Sequence, residues 1–119
     1  MSDCIFCRIV NGELPAEKLY EDEHVIAFRD INPVAAFHAL VIPRKHIATL
    51  NDFTAEENAL AGHLLRATAN LAREQGLADE GYRVVINCNE YGGQVVYHVH
   101  AHVLGGQRLT GAHGLGGGQ

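Results

Sequence analysis

Apolar and polar positions follow two different periods along the chain, and each period predicts a different kind of element. Four short runs rich in β-branched and aromatic residues predict strands at 17–22, 24–30, 38–43 and 82–88. Between the third and fourth runs the apolar spacing becomes that of a helix, which we expect from about Thr54 to Gln75. The chain therefore combines short strands with one long helix.

The predicted helix carries its own start and stop signals. Thr54 and Glu57 have the spacing of a capping box, in which each side chain satisfies a backbone N–H of the first turn. Arg73 lies in the last turn, and Gly76 follows it, where a left-handed residue commonly ends a helix. The apolar stripe that should face the core consists of Leu60, Ala61, Leu64, Leu65, Leu71 and Ala72.

A fifth strand is predicted from about Val95 to Leu104, through the stretch YHVHAHV. Because the side chains of a strand alternate between its two faces, the three histidines of this stretch should share one face. They are His98, His100 and His102. Several strands and one long helix, mostly joined by short turns, predict an α+β domain with an antiparallel sheet.

Composition and charge narrow the classes of function. The 119 residues are enough for one domain with a real core, and the formal net charge of −5 disfavours a nucleic-acid partner. No apolar run reaches the roughly 20 residues that span a bilayer, and the first residues do not resemble a secretory signal. We therefore expect no membrane partner and a cytoplasmic location. Three cysteines, an odd number, argue against a disulfide framework.

Two chemistries compete for the three histidines. A zinc site needs converging ligands, and a His-x-His pair on a strand supplies two of them. A catalytic set instead needs a neutral imidazole as nucleophile or base, with its other nitrogen held to fix the tautomer. Histidines of a strand without any function are the third interpretation, which three in alternation make uncommon.

The flanking residues resemble those of a known family. The stretch NCNEYGGQVVYHVHAHVLGG, together with FRDINP and HALVIPRKHI, is similar to the histidine triad (HIT) superfamily, and most of all to its Hint branch of nucleoside phosphoramidate hydrolases. The resemblance runs from about Cys4 to Gly106. It implies a HIT-like fold over 1–106, with an antiparallel sheet of about five strands, one long helix and a short N-terminal helix, followed by a glycine-rich tail over 107–119. It also implies a homodimer.

The resemblance assigns a separate role to each histidine of the site. His100 would be the nucleophile that attacks the α-phosphorus of a nucleotide and forms a covalent nucleotidyl-histidine, which water then hydrolyses. The carbonyl of His98 would orient the ring of His100. His102 would face the phosphate and the leaving group, and His38 would take part in proton transfer there.

The same resemblance implies a nucleotide pocket. Asn87 and the backbone around Gly93 would contact the phosphate, and Asp30 would accept hydrogen bonds from the ribose hydroxyls. The apolar residues that correspond to the walls of the base pocket, each of which alone would be interpreted as core, are Phe6, Ile9, Phe28, Ile31 and Leu40.

Val95 departs from the pattern of the Hint branch, which usually carries a serine or threonine after GGQ. That hydroxyl would hydrogen-bond near the phosphate and the leaving group, which valine does not do. A loss of this kind lowers a rate by roughly 10²–10³ where the contact acts as an oxyanion donor does. We therefore expect activity that is reduced or altered in its preference for leaving groups.

Cys4 and Cys7 form a C-x-x-C pair, a spacing shared by zinc sites and redox pairs. Two incidental thiols are the simplest alternative, and a redox role is disfavoured because the pair is not in a βαβ setting. The resemblance implies that His46 and His98 complete a structural zinc site with four protein ligands. No cofactor is expected to be needed for the chemistry.

The expected function is hydrolysis of purine nucleoside 5′-phosphoramidates or aminoacyl-adenylates, with release of a nucleoside monophosphate such as AMP or GMP. Hydrolysis of dinucleoside polyphosphates is an alternative enzymatic function, which the C-x-x-C pair and VLGG disfavour. A nucleotide-binding regulatory module with weak catalysis is an alternative of another class. A third alternative is a zinc hydrolase that uses the three histidines directly as ligands, which the resemblance disfavours because only His98 is expected to reach a metal.

Overall fold

The computed structural model describes residues 3–111, which form one antiparallel sheet and two α-helices. The strands are β1 (Lys18–Glu21), β2 (Val25–Arg29), β3 (Phe37–Pro43), β4 (Arg83–Val85) and β5 (Ala101–Gly105), and the helices are α1 (Ile5–Val10) and α2 (Asn58–Glu74). The strand order in the sheet is β1-β2-β3-β5-β4, with every neighbouring pair antiparallel. The predicted α+β fold with five strands, one long helix and a short N-terminal helix is confirmed.

The sheet is covered on both faces, which explains why its central strands read as continuous apolar runs. All seven residues of β3 are buried. On one face, Ala39 and Val41 join a cluster with Leu64 and Leu71 of α2. The other face packs against α1, and its cluster comprises Phe6, Ile9, Ile26, Phe28, Leu40 and Ile42. Truncating a fully buried leucine such as Leu71 to alanine would cost about 2–5 kcal/mol.

The local signals of α2 act as predicted, with one exception in its apolar stripe. The N–H of Thr54 donates to Oε1 of Glu57 at 2.8 Å, a 3₁₀ turn follows over 55–57, and Gly76 ends the helix with φ +76°. Leu65, however, is 55% exposed. The buried residues of α2 are Leu64, Ala67, Thr68, Leu71 and Ala72. Leu65 lies about 100° around the helix from Leu64, so it is beyond the edge of this stripe.

The predicted strand over Val95–Leu104 is wrong in its first half, because β5 begins only at Ala101. The chain bends over 96–98, and the N–H of Val99 donates to the carbonyl of Ile47 at 2.7 Å instead of to a neighbouring strand. His98 therefore sits in a bend. Strand alternation holds beyond it, where Ala101 and Val103 join the cluster beneath α2.

The predicted strand over 82–88 is also too long. β4 covers three residues, since it lies at the edge of the sheet and pairs only with β5, from Arg83↔Leu104 to Val85↔His102. Asn87 therefore follows the strand in a loop.

α2 is tied to the turn between β1 and β2 by a polar cluster on Asp22. Its Oδ2 lies 2.8 Å from Nε2 of His63 and accepts from the hydroxyl of Tyr20 at 3.1 Å. Its Oδ1 accepts the N–H groups of His24 and Val25 at 2.8 and 2.9 Å. The carboxylate of Asp22 thus accepts two backbone N–H groups of the turn and also holds α2 against the turn through His63.

None of the helices in the part of the chain that the structure describes is long and apolar enough to span a membrane. The cytoplasmic location stays a prediction. At the start of the predicted tail, Oε1 of Gln107 accepts the N–H of Ala36 at 2.6 Å. Most of the predicted glycine-rich tail, residues 112–119, lies outside the described residues.

Candidate active site and metal centre

The three histidines of YHVHAHV are buried and close together. His98, His100 and His102 are 0%, 1% and 0% exposed, and the ring centroids of His100 and His102 lie 5.0 Å apart. Phe6 of α1 meets His98 and His100 edge-on, with centroid distances of 5.9 and 5.2 Å. The short N-terminal helix therefore fixes the positions of two of the three rings.

The ring of His100 has a defined tautomer. Its Nδ1 lies 2.8 Å from the carbonyl oxygen of His98. A carbonyl oxygen only accepts, so Nδ1 carries the proton and Nε2 of the neutral ring carries the lone pair. The structure thus brings together the ring of His100 and the carbonyl of His98, two positions away, as the resemblance implies.

The side chain of His98 has the opposite orientation. Its Nε2 lies 2.8 Å from the carbonyl of Pro43, at the end of β3, and therefore donates there. Its Nδ1 lone pair points toward the Sγ atoms of Cys4 and Cys7, at 3.3 and 3.5 Å. Burial lowers the pKa of His98 to about 4, against the raising effect of the Pro43 hydrogen bond. The ring is therefore neutral at pH 7.

Four potential ligands converge at this point. His46 brings its Nδ1 to 3.3 Å from Sγ of Cys7, and ligand atoms of Cys4, Cys7, His46 and His98 all lie within 4.8 Å of one another. Tetrahedral zinc, with bonds of about 2.0–2.3 Å, holds its ligand atoms about 3.3–3.8 Å apart. Two thiols and two imidazoles, one with its second nitrogen bound to a backbone carbonyl, are a donor set suited to that ion.

α1 places the two thiols. Cys4 is the N-cap of this helix, and its Sγ accepts the N–H of Cys7 at 3.3 Å. Three residues along a helical turn put both side chains on the same face. The C-x-x-C spacing therefore brings the two thiols together within a single turn of α1.

The side chains of His38 and Asp30 form a buried polar cluster with His102, the last of the three histidines. Nε2 of His38 is 2.9 Å from Nδ1 of His102 and 3.4 Å from Oδ2 of Asp30. The backbone N–H of Val34 donates to Nδ1 of His38 at 3.1 Å. Burial lowers the pKa of His38, while the charge of Asp30 opposes the shift. His38 and Asp30 were both predicted from the sequence, but the amide of Val34 was not.

The apolar residues predicted for the base pocket fall into two groups. Phe6, Ile9, Phe28 and Leu40 belong to one buried cluster on the triad side of the sheet. Ile31, in contrast, is 89% exposed.

The loop before the triad contains the residues predicted to contact the phosphate. Nδ2 of Asn87 donates to the carbonyl of Gly92 at 2.6 Å. Gly93 has φ +83°, a conformation that residues with a side chain rarely adopt. Val95 is 67% exposed. The side chain of Asn87 therefore bonds to the backbone of its own loop, and the side chain of Val95 is exposed to solvent.

Gln94 is a residue of this loop that the sequence did not single out. It is 5% exposed, and its Oε1 accepts the N–H of Asn89 at 2.9 Å. Its Nε2 donates to the carbonyls of Ala48 and Val96, at 2.8 and 3.0 Å. One amide side chain therefore fixes both ends of the loop and ties it to the segment after His46. The available signal was a polar residue directly after two glycines.

Comparisons with known proteins agree with this geometry. Residues 11–109 match the family described as HIT domain. The chain is 44% identical over 107 residues to the purine nucleoside phosphoramidase of Escherichia coli (strain K12), covering 90% of each chain. Its structure is similar to the crystal structure of a HIT family hydrolase from Legionella pneumophila, with a TM-score of 0.91 and 47% identity over 94% of this chain and 100% of that one. A histidine triad protein from Clostridium difficile gives a TM-score of 0.90 and 45% identity over 93% and 96% of the two chains. The chain therefore belongs to the HIT domain family.

Proposed function

We propose that the protein is a hydrolase of purine nucleoside 5′-phosphoramidates or aminoacyl-adenylates that releases the nucleoside monophosphate. The observation that carries the proposal is the hydrogen bond from Nδ1 of His100 to the carbonyl of His98, which leaves the lone pair on Nε2. The phosphoramidase name of the Escherichia coli relative supports the substrate class.

The reaction would proceed in two displacements at phosphorus. In the first, a bond forms between Nε2 of His100 and the α-phosphorus as the bond to the leaving group breaks. This is the P–N bond of a phosphoramidate, whose departing amine takes up a proton from solvent, or the P–O bond of an aminoacyl-adenylate, whose departing carboxylate needs none. In the second, the oxygen of water bonds to phosphorus as the bond to Nε2 of His100 breaks, and the monophosphate and a proton are released to solvent. Covalent catalysis of this kind replaces one difficult displacement by two easier ones. The buried ring needs no deprotonation at the moment of attack, because its tautomer is already fixed.

We also propose that zinc binds to Cys4, Cys7, His46 and His98. The ion would be structural, since four protein ligands leave no open position for substrate. Its role would be to hold the backbone of His98 in place, and with it the carbonyl that orients His100. No step of the reaction involves it.

A homodimer is proposed from the family and from two exposed apolar residues. Leu65 of α2 and Val84 of β4 are 55% and 36% exposed, and β4 is an edge strand of the sheet. Pairing through α2 and this edge would cover both. Sedimentation of wild type beside Leu65→Lys tests the pairing, which is rejected if the wild-type protein sediments as a monomer at micromolar concentration.

The direct test is release of AMP from adenosine 5′-phosphoramidate. We expect release by the wild type, by a His24→Ala control that removes an exposed imidazole, and not by His100→Ala. Mass spectrometry of the quenched reaction should show an adenylyl adduct on His100. Equal release by His100→Ala and wild type would remove His100 as nucleophile. Binding of AMP without release by any variant would identify the protein as a nucleotide-binding module instead.

A further inference from the structure

The backbone amide of Val34 determines where His38 carries its proton. This N–H donates to Nδ1 of His38 at 3.1 Å. A ring nitrogen that accepts a hydrogen bond uses its lone pair to do so, and a neutral imidazole has one protonated and one lone-pair nitrogen. His38 therefore carries its proton on Nε2.

That proton in turn determines the tautomer of His102. Nε2 of His38 lies 2.9 Å from Nδ1 of His102. Since His38 is the donor, Nδ1 of His102 accepts, and the proton of His102 lies on Nε2. His100 and His102, with ring centroids 5.0 Å apart, thus differ: His100 offers a lone pair on Nε2, and His102 offers an N–H.

The same chain of hydrogen bonds leaves no proton to pass on. Proton transfer from His38 through His102 would convert neutral His38 into an imidazolate, because Nδ1 of His38 holds no second proton. A second proton bound at Nδ1 of His38 would lie against the N–H of Val34. Burial of both rings adds to the cost of a charge there.

We propose that His38 is a positioning residue and not a proton carrier: held by the amide of Val34, it fixes His102 as an Nε2–H donor on the leaving-group side. The assignment of a leaving-group side rests on the proposed function. The tautomers themselves do not, so they can be tested separately.

A consequence concerns metal binding. Asp30, His38 and His102 place ligand atoms within 4.8 Å of one another, and so does the group of Cys4, Cys7, His46 and His98. A metal at Nε2 of His38 would have to displace the only ring proton while Nδ1 accepts from Val34. His98 differs, because its proton goes to the carbonyl of Pro43 and its lone pair faces the thiols. Of these two clusters, only the one with cysteines is therefore suited to a metal.

The first test replaces His38 by residues that cannot carry a proton. His38→Gln keeps an N–H donor near the position of Nε2, whereas His38→Leu removes it. We expect His38→Leu to lower kcat for adenosine 5′-phosphoramidate by about 10²-fold, the size expected when a preorganised hydrogen-bond donor is lost. His38→Gln should recover most of that loss with an unchanged pH profile. If His38→Gln is as slow as His38→Leu, His38 carries a proton and the proposal is wrong.

The second test observes the tautomers directly. Ring ¹⁵N NMR of the wild type should show the Nε2–H tautomer for both His38 and His102. Val34→Pro removes the amide donor from a residue whose side chain is exposed, and it should mix the tautomers of His38, while Val34→Ala should keep them. A proton on Nδ1 of His102 in the wild type would overturn the proposal.

The two experiments separate the possible failures. The expected tautomers without AMP release would reject the proposed function and leave the hydrogen-bond chain intact. AMP release by a protein whose His38 and His102 carry the other tautomers would support the proposed function and reject the hydrogen-bond chain. Zinc, added to the Cys4→Ser, Cys7→Ser double variant at a concentration equal to that of the protein, should leave the ring ¹⁵N signals of His38 and His102 unshifted. A shift of both signals would contradict the proposed chain of hydrogen bonds.

Discussion

The side chains of Cys4 and His98 meet, Sγ to Nδ1 at 3.3 Å, although 94 positions separate them in sequence. The contact joins the first turn of α1 to the bend before β5. The backbone of that bend carries the carbonyl that holds His100. Only His98 therefore lies between the thiol of Cys4 and the ring of His100 in this series of contacts.

Replacing one cysteine of this cluster should remove zinc and stability together. We expect about one zinc per chain in the wild type by elemental analysis and none in Cys4→Ser. The melting temperature should fall by about 10 °C, as for a loss of about 2 kcal/mol in a domain of this size. Cys88→Ser, at a thiol outside the cluster, is the matched control. An unchanged zinc content in Cys4→Ser would reject the site.

Restoring a hydroxyl at position 95 should raise the rate. Val95 is exposed in the loop before the triad, so serine fits there without repacking the core. If the hydroxyl acts as an oxyanion donor does, Val95→Ser should increase kcat by up to roughly 10²-fold. Val95→Ala separates the gain of the hydroxyl from the loss of bulk. Equal rates for the serine and alanine variants would show that the hydroxyl contributes nothing.

Loss of the Gln94 amide should loosen the loop before the triad. Gln94→Met keeps the length of the side chain but leaves the N–H of Asn89 and the carbonyl of Ala48 without this partner. We expect a loss of about 2 kcal/mol in the free energy of unfolding, measured by urea denaturation, and slower AMP release. Tyr91→Phe alters a fully exposed residue of the same loop and should stay within about 0.5 kcal/mol of wild type. A Gln94→Met protein as stable as that control would contradict the role.

The Asp22 cluster should make stability depend on acidic pH. Burial raises the pKa of Asp22, but hydrogen bonds from His24, His63, Val25 and Tyr20 outweigh it and hold the pKa well below the ordinary value of 3.8. The stability that ionised Asp22 contributes is therefore complete above about pH 4 and is lost as the pH falls below that value.

Asp22→Asn tests this linkage. At pH 7 the variant should be less stable by about 2 kcal/mol, the size expected for lost hydrogen bonds to a charge. Its stability should fall less steeply than that of wild type below pH 4, so the two curves converge. Glu23→Gln, at a neighbouring exposed carboxylate, should follow the wild-type curve. Parallel curves for Asp22→Asn and wild type would show that Asp22 is not the titrating group.

Local signals predicted the elements whose causes lie within one segment. The capping pair Thr54 and Glu57 and the apolar period of α2 are examples, since their partners are at most four residues away. The start of β5 was missed because the N–H of Val99 bonds to Ile47, a partner that only the folded chain provides.

The candidate site was predictable in its residue types and in the carbonyl that orients His100, but not in the tautomers of His38 and His102. His38, His98, His100 and His102 follow from the motif and its flanks. Which nitrogen of these two rings carries the proton depends on the backbone amide of Val34, which any residue other than proline supplies. No pattern of side chains encodes such a contact.

The acceptor that orients His100 has a consequence for how the protein tolerates mutation. It is a carbonyl oxygen of the main chain, so no amino-acid substitution at position 98 deletes it. A side-chain acceptor, as in other catalytic sets, is lost by a single codon change. Variation at 98 therefore reaches His100 only indirectly, by moving a backbone segment that the side chain of His98 anchors at the carbonyl of Pro43 and beside the two thiols.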